Sequence, residues 1–491
     1  MREVFKAFFK MGSGTMASLL LGVVAVKIVA VILGPSGIGL YSLLRQISEF
    51  ATRGGDAGNT AVVQGLASRK GQVREDYLIT TFWVFTLASL LIFVVLLVLA
   101  PWIAPLVLGR DDGQATNLVR WVALPIVLTM ALFYLDGVLN AFRAIGLLIL
   151  LEVLGIGAMA LLAYPVSKLV EAGYLTAFIC MLSAPPAVGV ALATWFALRE
   201  GWLAPFLHRP RINLHSGSLQ HFFSIAGTLF ITGSVGGGVF LAIRALIVQQ
   251  DGLASAGMFA AAWTLTGTYV ALYLNSFGTY YLPILSQADD TSERTLLMQR
   301  TMRLTTLFTV PMVISLVVLK PLLIELLYSS EFTPSLEIIR WMLIGDYFKV
   351  PVWVINVQMM AFANMRVLLW ESLLSSAGFL AFTALALFGF NSFQGIGVGF
   401  LVLYVLELAF CLYYTRSRYQ FPLARAMVVS WLLGLALIVG ASWHTWSNTH
   451  VDWFTAPLWI GAAIVLSWLS LSRNERREMF RMALPWKETR Q

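Results

Sequence analysis

Apolar runs of about 20 residues recur from one end of this chain to the other, each long enough to cross a hydrocarbon core of about 30 Å as a helix. Lipid offers no hydrogen-bond partners. A run of that length must therefore satisfy its own backbone, which favours a helix. Only 12% of the 491 residues are charged and 59% are hydrophobic; a soluble domain carries about 25% charged residues. A soluble enzyme is thereby excluded, and an all-α polytopic membrane protein of about fourteen transmembrane helices is expected. To within a few residues, the spans fall at 13–34, 38–66, 77–100, 118–140, 146–168, 174–198, 222–249, 255–286, 302–328, 336–362, 366–389, 395–415, 425–446 and 453–472. Gly, Pro and Asn punctuate them, as in Gly34-Pro35-Ser36-Gly37, Asp111-Asp112-Gly113, Asp251-Gly252 and Asn391-Ser392. The second and eighth are over-long and carry polar residues, which predicts tilt or a cavity-facing side.

Lys and Arg set the orientation. With an inside N-terminus, inward-facing segments hold 23 of the 33 basic residues, among them Arg69, Lys70, Arg74, Arg199, Arg209, Arg211 and six in the tail. The outer flanks hold Arg110, Arg120, Lys168, Lys320 and Arg340. Both termini are therefore expected in the cytoplasm, the N-terminus leading into a full span without a signal-peptide cleavage site. The +8 net charge is mostly topology, and no nucleic-acid partner is called for. Cys180 and Cys411 lie inside apolar runs and read as small buried hydrophobes. The five histidines form no metal pattern, and Gly233–Gly238 lacks the context of a phosphate loop, so close helix packing or a bend explains it better. No cofactor is expected, and energy must come from an ion or substrate gradient.

The two halves repeat at an offset of 220. Pro101 pairs with Pro321, Arg120-Trp121 with Arg340-Trp341, and Ala141-Phe142 with Ala361-Phe362. Glu152 pairs with Glu371, and Lys27 with Arg244, at nearly the same offset. Parallel repeats place the substrate path between two pseudo-symmetric six-helix lobes. The expected organisation is an N-lobe over 1–200, a connector over 201–221, a C-lobe over 222–420, two further spans over 421–472 and a basic tail over 473–491.

An ionisable group within a span costs at least about 2.5–3.5 kcal/mol on insertion scales, so each needs a reason. Lys27 lies roughly 20 Å into span 1 at 1.5 Å per residue. Arg244 occupies the matching depth in span 7. Arg45, Glu49, Arg53 and Asp56 follow on span 2, with i,i+4 pairs at 45/49 and 49/53. Span 10 carries Asp346 and Lys349 at i,i+3; Asp136, Glu152, Glu371 and Glu407 are lone acids. Interface anchoring accounts for Arg120 and Arg340, and helix-end or inter-helix contacts for Glu152 and Glu371. Asp346 with Lys349 fits a structural pair as well as a functional one. Lys27 and Arg244 fit a cavity for an anionic headgroup, because arginine grips phosphate oxygens bidentately and lysine supplies a point charge.

The stretch KIVAVILGPSGIGLYSLLRQ (Lys27–Gln46) resembles the first hairpin of Wzx-type polysaccharide flippases. NSFGTYYLPIL (Asn275–Leu285) is similar to their eighth span, and GDYFK (Gly345–Lys349) to the GDxxK of their tenth. The resemblance runs through the first twelve spans and implies the multidrug/oligosaccharidyl-lipid/polysaccharide exporter superfamily. It implies transfer of an undecaprenyl-diphosphate-linked oligosaccharide from the cytoplasmic to the periplasmic leaflet of the bacterial inner membrane, for surface polysaccharide, exopolysaccharide, O-antigen or lipopolysaccharide assembly. Lys27, Arg45, Arg53, Arg244 and Lys349 are the substrate-binding candidates, and Asp346, Asp136 and Glu49 the ion-coupling candidates. Proton or sodium, membrane lipids and a polysaccharide polymerase complex are candidate partners. The two added spans depart from the twelve-span pattern and resemble those of lipid II flippases. A peptidoglycan-precursor flippase and a cation-coupled multidrug exporter of the same superfamily are the alternatives.

Overall fold

A computed structural model describes residues 2–208, 215–268, 291–361, 365–419 and 425–471, with isolated positions at 270, 271, 274, 281, 285 and 476. Connector residues 209–214, most of the Asn275–Leu285 motif and the basic tail apart from Arg476 lie outside them. Among the described residues there is no strand. The helices are α1 (Arg2–Ala51), α2 (Arg53–Ser68), α3 (Gly71–Leu108), α4 (Gly113–Trp121), α5 (Ala123–Ala141), α6 (Ile145–Glu171), α7 (Ala177–Arg199), α8 (Ala204–His208), α9 (Ser216–Trp263), α10 (Thr291–Leu327), α11 (Ser335–Ala361), α12 (Met365–Ala384), α13 (Gly395–Tyr419), α14 (Arg425–His444) and α15 (Ala456–Ser470). Among the described residues, ten helical segments are long and apolar enough to cross a membrane. α11, which carries Glu337, Arg340, Asp346 and Lys349, is not among them, and α15 is shorter. The most apolar stretch of α3 is only 17% buried, and Leu90, Leu91 and Leu161 point outward. Apolar side chains turned outward in this way suit lipid as the solvent, and the chain is a multi-pass membrane protein.

Local chemistry decides how the spans join. The expected loop at Gly34–Gly37 is a one-residue break: Gly34 has φ 63° and ψ −164°, and the helix resumes at Pro35. Proline fits there because its fixed φ suits a first helical position and it has no N–H to leave unpaired. Gly252 (φ 83°, ψ 179°) breaks α9 in the same way, 218 residues later. The over-long second run is not one tilted helix. It is cut at Thr52, whose hydroxyl donates to the Ser48 carbonyl at 2.8 Å. α3 ends on left-handed Gly109, whose N–H donates to the Pro105 carbonyl.

The chain forms two compact units. The first comprises Met1–Ala260 with Leu327–Glu331, the second Ala261–Leu326 with Phe332–Gln491. In the first, α6 packs against α1 and α7, and α5 against α2, α3 and α7. Hydrogen bonds tie these helices: Tyr77 donates to the Ala61 carbonyl at 2.9 Å, Tyr134 to the Leu78 carbonyl at 3.0 Å, and Asn59 to the Phe133 carbonyl at 2.8 Å. Tails of lipid are as apolar as leucine, so close packing and such bonds hold helices together within the bilayer. In the same unit the α1 and α9 backbones touch where Gly39 meets Leu253 and Gly257 meets Pro35.

In the second unit α13 packs against α11 and α12, and α14 against α11 and α15. Lys320 is 1% exposed and donates to the carbonyl and hydroxyl of Thr445 at 3.3 and 3.2 Å. Arg340 donates to the Trp446 carbonyl and stacks 3.9 Å from its ring centroid. Arg340 is thus buried within the second unit rather than turned outward. With Lys320 it satisfies carbonyls just past the end of α14, where the helix dipole favours cations. Arg120 remains exposed and donates to Asn117.

Candidate anion-binding site and buried acids

Four of the five cations expected to bind substrate lie in the first unit: Lys27 and Arg45 on α1, Arg53 on α2, and Arg244 on α9. Lys27 donates to the backbone carbonyl of Tyr328. Arg244 is 7% exposed, donates from Nη1 to the Ser42 carbonyl at 3.1 Å, and has its Cζ 4.9 Å from the Phe240 ring centroid. Its Nε has no hydrogen-bond partner among the described residues. Arg45 pairs with Glu49 at 2.7 Å, and both side chains are about half exposed. Arg45 and Arg244 both lie within electrostatic reach of Glu49 and of Tyr328.

Tyr328 is the member of this group that the sequence did not single out. It belongs to Leu327–Glu331, a short piece of chain far from α1 in sequence that packs into the first unit. Arg53 lies along the glycine stretch of α9. A Cβ on Gly237 would stand 3.3 Å from its Nε, and one on Gly238 would stand 3.2 Å from the Phe50 ring. The glycines therefore serve close packing, with Arg53 against them. The Arg53 Nε also has no partner among the described residues. A buried guanidinium N–H without an acceptor costs free energy unless something supplies one, and a phosphate oxygen has that capacity.

The acids divide into two groups. Asp136 in the first unit borders a crevice of about 560 Å³ lined also by Asn59, Asn140 and Glu152. Glu49 is committed to Arg45 rather than standing free. Asp346 and Lys349 belong to the second unit, 3.9 Å apart, with Lys349 lying 5.6 Å from the Tyr404 ring centroid. Asp346 is fully buried, and neither carboxyl oxygen has a hydrogen-bond partner among the described residues.

Beside them, Asn356 donates to Glu371 at 2.8 Å, Ser375 donates to Glu407 at 3.2 Å, and Glu371 and Glu407 lie within reach of each other. Sequence reasoning assigned Glu371 to a helix-end or inter-helix role. The bond from Asn356 is such an inter-helix contact, and the repeat carried a signal for it, since Asn356 stands 220 residues after Asp136 and Glu371 stands 219 after Glu152.

These features define a polytopic helical membrane protein with charged side chains buried among its spans. Residues 28–337 match the family described as polysaccharide biosynthesis protein. The lipid III flippase of Escherichia coli (strain K12) is 26% identical over 377 residues, covering 74% of this chain and 86% of that protein. A solved structure titled lipid II flippase MurJ, inward closed conformation, aligns at a TM-score of 0.69 and 14% identity, covering 98% of this chain and all of that one. An inward-facing multidrug resistance MATE family transporter of the MOP superfamily aligns at 0.66 and 13%, covering 84% of this chain and 98% of that one. The fold is thus the one these two share. The chain belongs to the polysaccharide biosynthesis protein family.

Proposed function

We propose that this protein is a flippase for a polyprenyl-diphosphate-linked oligosaccharide in the bacterial inner membrane, working by alternating access and coupled to an ion gradient. We read it as fourteen crossings with both termini cytoplasmic and the substrate path between two six-helix lobes. The carrying observation is the buried Arg244, whose Nε–H has no partner among the described residues, with Arg45 and Glu49 in electrostatic reach and Lys27 on the nearby Tyr328 carbonyl. A diphosphate supplies the acceptor oxygens that such donors need, while the prenyl tail stays in lipid. Arg53 and Lys349 serve as further contacts to the headgroup. Family membership and the lipid III flippase relative support a lipid-linked saccharide as cargo.

A peptidoglycan precursor is the second reading. It is favoured by the lipid II flippase alignment, which extends over 98% of the chain, against 84% for the multidrug transporter. The two precursors share the diphosphate but differ in sugar and peptide. Proteoliposomes loaded in turn with a polyprenyl-diphosphate oligosaccharide and with lipid II distinguish them, an impermeant probe reporting headgroup in the far leaflet. Transfer is expected for the oligosaccharide, and its loss in Lys27→Ala/Arg244→Ala. Normal transfer by that double variant refutes the cationic site, and transport of cationic drugs alone refutes the flippase reading.

A further inference from the structure

The acids of the second unit are arranged in a way that a purely structural role leaves unexplained. Glu371 on α12 is 5% exposed and faces Glu407 on α13 closely enough to share a hydrogen bond. Two carboxylates cannot hydrogen-bond directly unless one of them carries a proton. The outer oxygens of the pair are already held: Asn356 of α11 donates to Glu371, and Ser375, one turn beyond Glu371, donates to Glu407. These bonds hold both carboxyl groups in place, and Ser375 links the helix of Glu371 to Glu407. Asp346 is an independent sign of a missing partner. It is fully buried, both its oxygens lack a donor among the described residues, and the Lys349 ammonium is 3.9 Å away. Tyr404 lies within electrostatic reach of all three acids, which places them around one side chain. The titratable or charged groups facing the pair among the described residues are Asp346 and Lys349 from α11 and Tyr404 and Cys411 from α13. Lys349 is the one cation of this set. It is 3.9 Å from Asp346 and within electrostatic reach of Glu407.

We infer that Glu371 and Glu407 form a proton-binding site in the second unit, and that the proton exchanged there is the coupling ion of the transport cycle. The inference rests on the flippase reading for its second half. Uptake forms one O–H bond on Glu407 or Glu371 and adds one positive charge to the nest; release breaks that bond and returns the proton to water. No electrons are transferred. Once the proton leaves, two carboxylates face each other in a dry bundle, and their repulsion is relieved only by separating α12 from α13 or by drawing Lys349 from Asp346 toward them. Either response converts a protonation event into a helix displacement, which is what coupling requires. Lys349 thus becomes a positioning residue that answers to the charge of the pair, besides any contact with substrate.

Two measurements test this. Infrared difference spectroscopy on the purified full-length protein reads the carboxylic acid C=O band directly. A band that titrates with pH, shifts in D2O and disappears in both Glu371→Gln and Glu407→Gln is expected. Its persistence in both variants overturns the site, whatever the cargo. Folding of each variant is checked by its size-exclusion profile and far-UV circular dichroism; Gln keeps the shape and can still hydrogen-bond. In proteoliposomes, wild-type transfer of the lipid-linked oligosaccharide is expected to accelerate under an imposed pH gradient. Glu407→Gln is expected to lose that acceleration. Acceleration retained in Glu407→Gln, or driven by a sodium gradient at constant pH, overturns the coupling role. Absence of transfer by the wild type under every condition defeats the flippase reading while leaving the infrared result to stand or fall by itself.

Discussion

The contact between α1 and α9 in the first unit can be tested with a single methyl group. A Cβ built on Gly39 overlaps the carbonyl oxygen of Leu253 and stands 3.1 Å from the Gly257 nitrogen. One built on Gly257 overlaps the carbonyl oxygen of Pro35 and stands 2.9 Å from the Gly39 nitrogen. The opposing atoms are backbone, so no rotamer change relieves either clash. The two helices must part, and a radial gap of about 0.5–1 Å forfeits a quarter to a half of each dispersion contact along the crossing. Overpacking of this kind costs about 1–3 kcal/mol, against about 1 kcal/mol regained by replacing glycine inside a helix.

Gly39→Ala is therefore expected to destabilise by up to about 2 kcal/mol. Gly461→Ala is the control. It sits within α15 with nothing near its would-be Cβ, so it keeps the helix gain alone. Unfolding midpoints of the two purified variants should fall on opposite sides of wild type. The double variant Gly39→Ala/Gly257→Ala should cost less than the sum of its parts, because the first methyl has already parted the helices. A Gly39→Ala protein as stable as Gly461→Ala refutes the close-contact argument.

Three further outcomes are expected. Lys320→Met removes the buried donors to Thr445; it should cost up to about 2 kcal/mol of stability, and a reporter Ser447→Cys should label faster with a thiol reagent as the end of α14 frays. Gly237→Leu drives a side chain into Arg53 and Phe50, so it should lower headgroup transfer in the proteoliposome assay as Arg53→Ala does; full activity in both removes Arg53 from the site. Asp112 caps α4 by accepting from the Ala115 N–H at 2.6 Å, and that bond, with Arg110 beside it, holds its carboxyl below the usual carboxylate range. A depressed value means the cap contributes fully above the unfolded pKa of about 3.9 and is lost as pH falls through the folded value. Asp112→Asn should flatten that acid limb of a stability-versus-pH curve, and an unchanged limb assigns it to other groups.

Much of the architecture follows from composition and periodicity. Length and apolarity of the runs alone require helices in lipid, and matching residues recur at an internal offset near 220. The breaks at Gly34 and Gly252 were legible as turn residues, because only glycine adopts such backbone angles without strain. Lys27, Arg45, Arg53 and Arg244 could be named as unusual because a charge within a span always demands a partner. The partners were not legible. That Lys27 reaches the Tyr328 carbonyl, 301 residues away, depends on a five-residue segment folding back onto the first unit. Lys320 and Arg340 sit at flanks in the linear reading, yet they are buried where α14 ends, since hydrogen-bonding need in an apolar bundle overrides position along a span. Glu371 and Glu407 lie 36 residues apart on different helices, each an isolated acid in sequence. Only helix packing brings α12 and α13 together and turns two lone carboxyl groups into a pair, because hydropathy fixes which segments enter the membrane and side-chain contacts fix which of them meet.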